Sequence, residues 1–194
     1  GLMRMTGWDG SIPLIDLMCG SGTFLIEGVS NTLNIPIIKK NYLFKNWCDF
    51  NQSIFNKEIS KIENSTFIKQ NFSKVIGCEI DKEVFSQAKN NISQTGFSKY
   101  IEIYNKDFYD LKITSEPGVI VCNPPYGKKL GEENDLIESY LKIGRFLKNN
   151  FSGWEFWLLS GNPLLTKYLK MKASITIPVS NGGIDCRWIK YLIR

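Results

Sequence analysis

Pro13-Leu14-Ile15-Asp16-Leu17-Met18-Cys19-Gly20-Ser21-Gly22-Thr23 is the stretch from which the rest of the chain can be read. An apolar run, Pro13 to Met18, breaks into a turn with two glycines. A helical pattern from about Thr23 to Leu33 follows. A short apolar run bounded by turn residues reads as a buried strand. A strand, a tight turn and a helix in that order form the opening unit of a parallel sheet covered on both faces.

The same unit recurs downstream. Val75-Ile76-Gly77-Cys78-Glu79 is a second apolar run, followed by a helix from about Lys82 to Gln94 that stops at Gly96. Glycine there is a ready C-terminal cap. Ile101 to Tyr104 and Gly118 to Cys122 read as third and fourth strands, with a helix from Asp135 to about Asn149 after the fourth. Trp154 to Leu159 is a fifth strand, with Trp154 and Trp157 as core residues, and a short helix lies near Leu164 to Lys170. The end reads as a hairpin: Ser174 to Val179, a turn at Asn181-Gly182-Gly183, then Ile184 to Ile193. The expected fold is α/β, a doubly wound, mostly parallel sheet with a C-terminal antiparallel hairpin. Residues 1–194 read as one domain with an insertion at about 34–73. That insertion carries Phe44, Trp47, Phe50 and Phe55 and a polar helix from Ile54 to Glu63. Its aromatics are expected to pack on the flank of the sheet.

Composition narrows the chemistry. The 194 residues are 43% apolar and 22% charged, a globular balance. No apolar run reaches the ~18 residues that cross a bilayer. The chain has no histidine, so histidine bases, histidine zinc ligands and Ser-His-Asp catalysis are excluded within it. The five cysteines, Cys19, Cys48, Cys78, Cys122 and Cys186, are odd in number and contain no Cys-x-x-Cys pair. That fits a reducing, cytoplasmic setting. The net charge of +5 leans weakly towards an acidic partner such as nucleic acid. The first residue is Gly, which reads as a piece of a longer chain.

In an open sheet of this kind, ligands bind outside the carboxyl ends of the strands. Four strands end there in polar residues: Asp16 with the turn Cys19-Gly20-Ser21-Gly22-Thr23, then Glu79 and Asp81, then Asp107-Phe108, then Asn123-Pro124-Pro125-Tyr126. Glycines in the turn let a ligand approach the backbone. An acid after the second strand can accept both ribose hydroxyls. Asp107 and Phe108 suit an adenine amino group and ring face. Asp81 reads rather as a helix N-cap. The dinucleotide fingerprint is incomplete, because Leu25 stands where its third glycine belongs and Glu79 lies far beyond the usual ~20 residues. No Gly-Lys-Ser/Thr follows the turn, so a phosphate cradle is missing too. A nucleoside cofactor without phosphates fits, and S-adenosylmethionine is one.

The Asn-Pro-Pro-Tyr stretch is the sharpest signal. Its two prolines stiffen the loop and remove amide donors. The Asn123 side-chain oxygen and the Pro124 carbonyl remain as acceptors. Two convergent acceptors suit a planar NH2 group and turn its lone pair towards an incoming methyl. Tyr126 offers a ring for a flipped base. Such catalysis works by placement and local polarity, without a strong base.

These residues resemble the class I S-adenosylmethionine-dependent methyltransferases with an Asn-Pro-Pro-Tyr motif. They resemble most the catalytic domain of large-subunit ribosomal RNA guanine-N2 methyltransferases that carry an RNA-binding THUMP domain. The likeness rests on Pro13 to Glu27, Phe44 to Phe50, Gly77 to Asp81, Asn123 to Gly127, and Asn181-Gly182 with Cys186. Leu17 departs from it, standing where the family usually has Pro, and the THUMP domain is absent. The resemblance implies a Rossmann-like fold, S-adenosyl-L-methionine as cofactor and ribosomal RNA as partner. It implies that Asp16, Cys19, Gly20, Gly22, Thr23, Glu79, Asp107 and Phe108 form the cofactor site. Asn123, Pro124 and Tyr126 would hold the target base, with no metal and no membrane.

Adenine N6 of DNA or RNA, or a glutamine side-chain amide, also presents a planar NH2 to this motif. A non-catalytic module that binds RNA or cofactor is a further alternative, against which stands the survival of every expected site residue. Lys128 and Lys129 could meet phosphates or line a solvated loop. Lys148, Lys167, Lys170 and Lys172 could extend a basic track or lie scattered.

Overall fold

The computed structural model describes residues 1–35, 37, 42–64, 72–113, 115–125 and 133–194. The elements in chain order begin with α1 (Leu2–Thr6), β1 (Leu14–Asp16), α2 (Thr23–Leu33) and α3 (Gln52–Asn64). Next come β2 (Val75–Glu79), α4 (Lys82–Thr95), β3 (Ile101–Asn105), β4 (Val119–Cys122) and α5 (Glu133–Asn150). The chain closes with β5 (Glu155–Ser160), α6 (Pro163–Thr166), β6 (Ala173–Asn181) and β7 (Ile184–Leu192). Seven strands form one sheet in the order β3-β2-β1-β4-β5-β7-β6. Neighbours among β1 to β5 are parallel, and β7 runs antiparallel to both β5 and β6.

The expected α/β sheet with a terminal hairpin is therefore the fold. β1, β2, β4 and β5 are buried along nearly all their residues because helices cover both faces. The pleat sends Ile120 and Cys122 into a cluster with Tyr140, Ile143 and Leu147 of α5. Val119 and Val121 enter the opposite cluster with Leu25, Ile26 and Val29 of α2. Trp154 and Trp157 are both core residues, as expected.

Element ends differ from the sequence expectation for local reasons. β1 stops at Asp16 because the amide of Leu17 turns to the Val121 carbonyl and the amide of Met18 to the Asp16 carboxylate. The helix expected near Leu164 to Lys170 is one α-turn, capped by the Asn162 side chain, followed by a 3-10 turn at Lys167–Leu169. α1 is not anticipated at all, since five residues carry too little periodicity to be seen. The insertion needs a correction. Phe44, Phe50 and Phe55 pack on one another at about 5.9 Å between ring centres. Trp47 edges onto Phe44 yet is 68% exposed. Neither sheet cluster includes these rings, so they form their own small knot instead of covering the sheet's flank.

Candidate active site

The order of strands reverses between β1 and β4, and the carboxyl ends there open into a crevice. Backbone bonds lace the loop after β1 into both neighbours. Leu17 donates to Val121, Cys19 to the Cys78 carbonyl at 2.8 Å, and Gly22 closes the turn onto Cys19. Gly20 and Gly22 adopt φ of +53° and +83°, the left-handed region that favours glycine. A side-chain carbon added to Gly20 would meet nothing within 4 Å, so that backbone borders open space. Gly22 starts α2 without a side-chain cap, leaving the first helical amides available. The Ser21 and Thr23 hydroxyls pair at 3.0 Å beside them.

Glu79 stands across the turn. One carboxylate oxygen accepts from the Gly20 amide at 3.0 Å and the other from the Asp81 amide at 2.9 Å. Two amides thus fix its orientation and leave lone pairs for further donors. Asp81 caps α4 through the amides of Glu83 and Val84, as expected. Asp107 caps the turn at Phe108–Asp110 through the Tyr109 amide.

Two cavities meet at this point. The first, about 610 Å³, is bordered by Glu79, Ile80, Asp107, Phe108, Tyr109 and Pro125, with the first turns of α5 opposite. The second, about 720 Å³, holds Asp16, Cys19, Ser21, Thr23 and Phe24 and runs to Leu159 and the hairpin residues Val179 to Asn181. Met18, Gly20 and Asn123 border both. Asn123 is exposed, whereas Pro124 is buried and absent from both linings. Tyr126, Lys128 and Lys129 lie outside the described residues.

Every other expected site residue except Pro124 and Gly22 reaches a cavity wall. Gly22 acts from behind, packed on Ile92 and Ile26. Phe108 does so from a buried position against Phe146, and Tyr109 is the more exposed ring beside it. Ile80 was missed by sequence reading. It is 69% exposed on the first cavity. An apolar residue between two acids at a strand's end is the signal that marks it. The acids Asp135 and Glu138 and the base Lys142 were missed as well, because a helical spacing alone does not tell which face meets a crevice.

Charge sets the character of the first cavity. Glu79, Asp107, Asp135 and Glu138 outnumber Lys106 and Lys142, and Lys142 is spent partly on Glu138 at 3.3 Å. Burial drives the Asp16 carboxyl up to about 7; the Met18 amide opposes this and the Glu79 charge adds to it. Burial likewise raises Cys19, Cys78 and Cys122, so these thiols stay protonated and behave as packing groups.

A family model described as "RMKL-like, methyltransferase domain" matches residues 1–190. A Synechocystis sp. protein, named provisionally as an RNA methyltransferase, is 37% identical over 194 residues, which cover 98% of this chain and 50% of that protein. The ribosomal RNA large subunit methyltransferase K/L of Colwellia psychrerythraea is 34% identical over 199 residues, 98% of this chain and 28% of that protein. The chain thus spans half or less of the curated relatives it matches. A crystal structure described provisionally as a methyltransferase complexed with SAH shares the fold, with a TM-score of 0.87 at 20% identity, over 100% of this chain and 51% of that one. With the crevice, its glycine turn and its Asn-Pro-Pro loop on one side and these matches on the other, the chain belongs to the RMKL-like methyltransferase domain family.

Proposed function

We propose that this chain is the catalytic domain of an S-adenosylmethionine-dependent RNA methyltransferase that methylates the N2 amine of a guanine in large-subunit ribosomal RNA. The position of Asn123 carries the reading. It borders the cavity that holds Glu79 and the cavity that holds Asp16, so an amine gripped there would face whatever lies across the shared wall.

The residues present fit the cofactor. The open backbone at Gly20 leaves room for a ligand against the turn. An acid-rich cavity repels phosphates and favours a cation. Glu79, held by two amides, would take the ribose hydroxyls, and Asp107 the adenine amino group. Ile80 and Tyr109 would flank the adenine, and Asp16 would face the cationic end. When bound, the cofactor supplies an electrophilic methyl carbon on a sulfonium, whose carbon–sulfur electron pair leaves with sulfur as a neutral thioether. The Asn123 side-chain oxygen would accept from the target amine and aim its lone pair at that carbon, whereas Pro124 borders neither cavity. The methylated nitrogen then loses one proton to solvent, so no side-chain base is required.

The printed names of the relatives support an RNA substrate and, for the K/L proteins, a ribosomal one. Mass spectrometry of ribosomal RNA from cells lacking the gene tests the assignment. One guanine in the large subunit should lose its N2 methyl group. Retention of every such group, or loss of an N6-methyladenine instead, would overturn the guanine assignment.

A further inference from the structure

The β6–β7 hairpin outruns the sheet it belongs to. β5 ends at Ser160, opposite Arg187. Beyond that pair, Ile184, Asp185 and Cys186 find partners only in β6, at Asn181, Ser180 and Val179. Three residues of antiparallel strand amount to about 10 Å of overhang. β6 runs in the same direction as β5, so the overhang rises at the carboxyl end, beside the crevice. A two-residue turn closes it, with Gly182 and Gly183 at φ of +58° and +80°. That is the primed geometry that matches strand twist and keeps such a hairpin in register.

The overhang forms one wall of the second cavity through Val179 and Asn181. Leu159 and the half-buried ring of Phe24 continue the wall as an apolar surface. Phe24 is braced at 5.4 Å by Trp188, which stacks on Trp157 at 5.5 Å and 25°. This column of rings leaves the wall little freedom to move. Asp16, Cys19, Gly20 and Thr23, four of the residues expected for the cofactor, line the same cavity, as does Asn123, whereas Glu79, Asp107 and Phe108 line the first.

We propose that the hairpin end of this cavity is the acceptor-base pocket, with Phe24, Leu159 and Val179 as its apolar wall and Asn181 as the residue that reads the base edge. The inference rests on the reading of the chain as an RNA methyltransferase. A planar base needs a flat apolar contact and a polar group at its rim. Asn181 suits the rim because a carboxamide both donates and accepts. A hairpin locked by its turn holds that amide at a set distance from Asn123, which is what selection of one base requires.

Methyl transfer to an unmodified transcript of large-subunit ribosomal RNA tests this, with cofactor affinity measured in parallel by calorimetry. Asn181→Ala and Val179→Trp are the variants; both positions lie on an edge strand with room for change. Each should raise the KM for RNA at least about tenfold while the cofactor Kd stays within about twofold. Unchanged KM in both variants, with an active parent chain, would overturn this inference alone. Parallel loss of cofactor affinity would also overturn it, by assigning the whole cavity to the cofactor. Transfer by the parent chain to adenine N6, with none to guanine, would overturn the substrate reading and this inference with it.

Discussion

Asp16 shows how much the site depends on single side chains. It is 1% exposed, and its carboxyl is pushed up to about 7, chiefly by loss of water. In the unfolded chain it ionises near 3.8, as an ordinary carboxyl does. Between these values the folded state binds the extra proton, so stability contributed by Asp16 falls as pH rises from about 4 to about 7. A cationic ligand reverses the preference by favouring the carboxylate. S-adenosylmethionine affinity should therefore rise about tenfold between pH 6 and 8 and level off above, and Asp16→Asn should flatten that rise. Calorimetry across this range checks it, and an equal rise in the variant would clear Asp16 of the effect. Asp16, Glu79 and Asn123 were legible in the sequence because each is a polar residue closing an apolar run. In the sequence Asn181 reads as part of a turn and of the family likeness and not as a site residue, since nothing local shows that the turn stands beside a crevice.

At the scale of elements, contacts between backbones decide what can change. Gly144 in α5 faces the turn at Lys167–Leu169 so closely that an added carbon would lie 2.3 Å from the Leu169 carbonyl oxygen. Neither partner is a flexible side-chain end. Gly144→Ala should therefore destabilise the fold by about 1–3 kcal/mol, read as a lower urea midpoint with an unchanged slope. An unaltered midpoint would mean that α5 slides freely on that turn. The parallel strands could be read because burial on both faces writes continuous apolar runs. The insertion was misread for a related reason. Aromatic content signals burial but not against what, and here Phe44, Phe50 and Phe55 bury one another.

For the whole molecule, the reversal of strand order between β1 and β4 brings residues distant in sequence to one crevice. Asp16, Glu79, Asp107 and Asn123 each came from a different strand end, and the fold is what makes them neighbours. That convergence could be argued beforehand because the alternation of strands and helices admits few topologies. The size and sign of the cavities could not, since they depend on α5 and on the hairpin overhang. The account as a whole stands on Asn123 as the holder of the acceptor amine beside the cofactor. Single-turnover methyl transfer by Asn123→Ala, at saturating S-adenosylmethionine and with cofactor Kd measured on the same sample, puts that to the test. A rate lower by about 100-fold or more with Kd unchanged within about threefold is the predicted result. A rate near that of the parent chain, or a rate and an affinity that fall together, would contradict it.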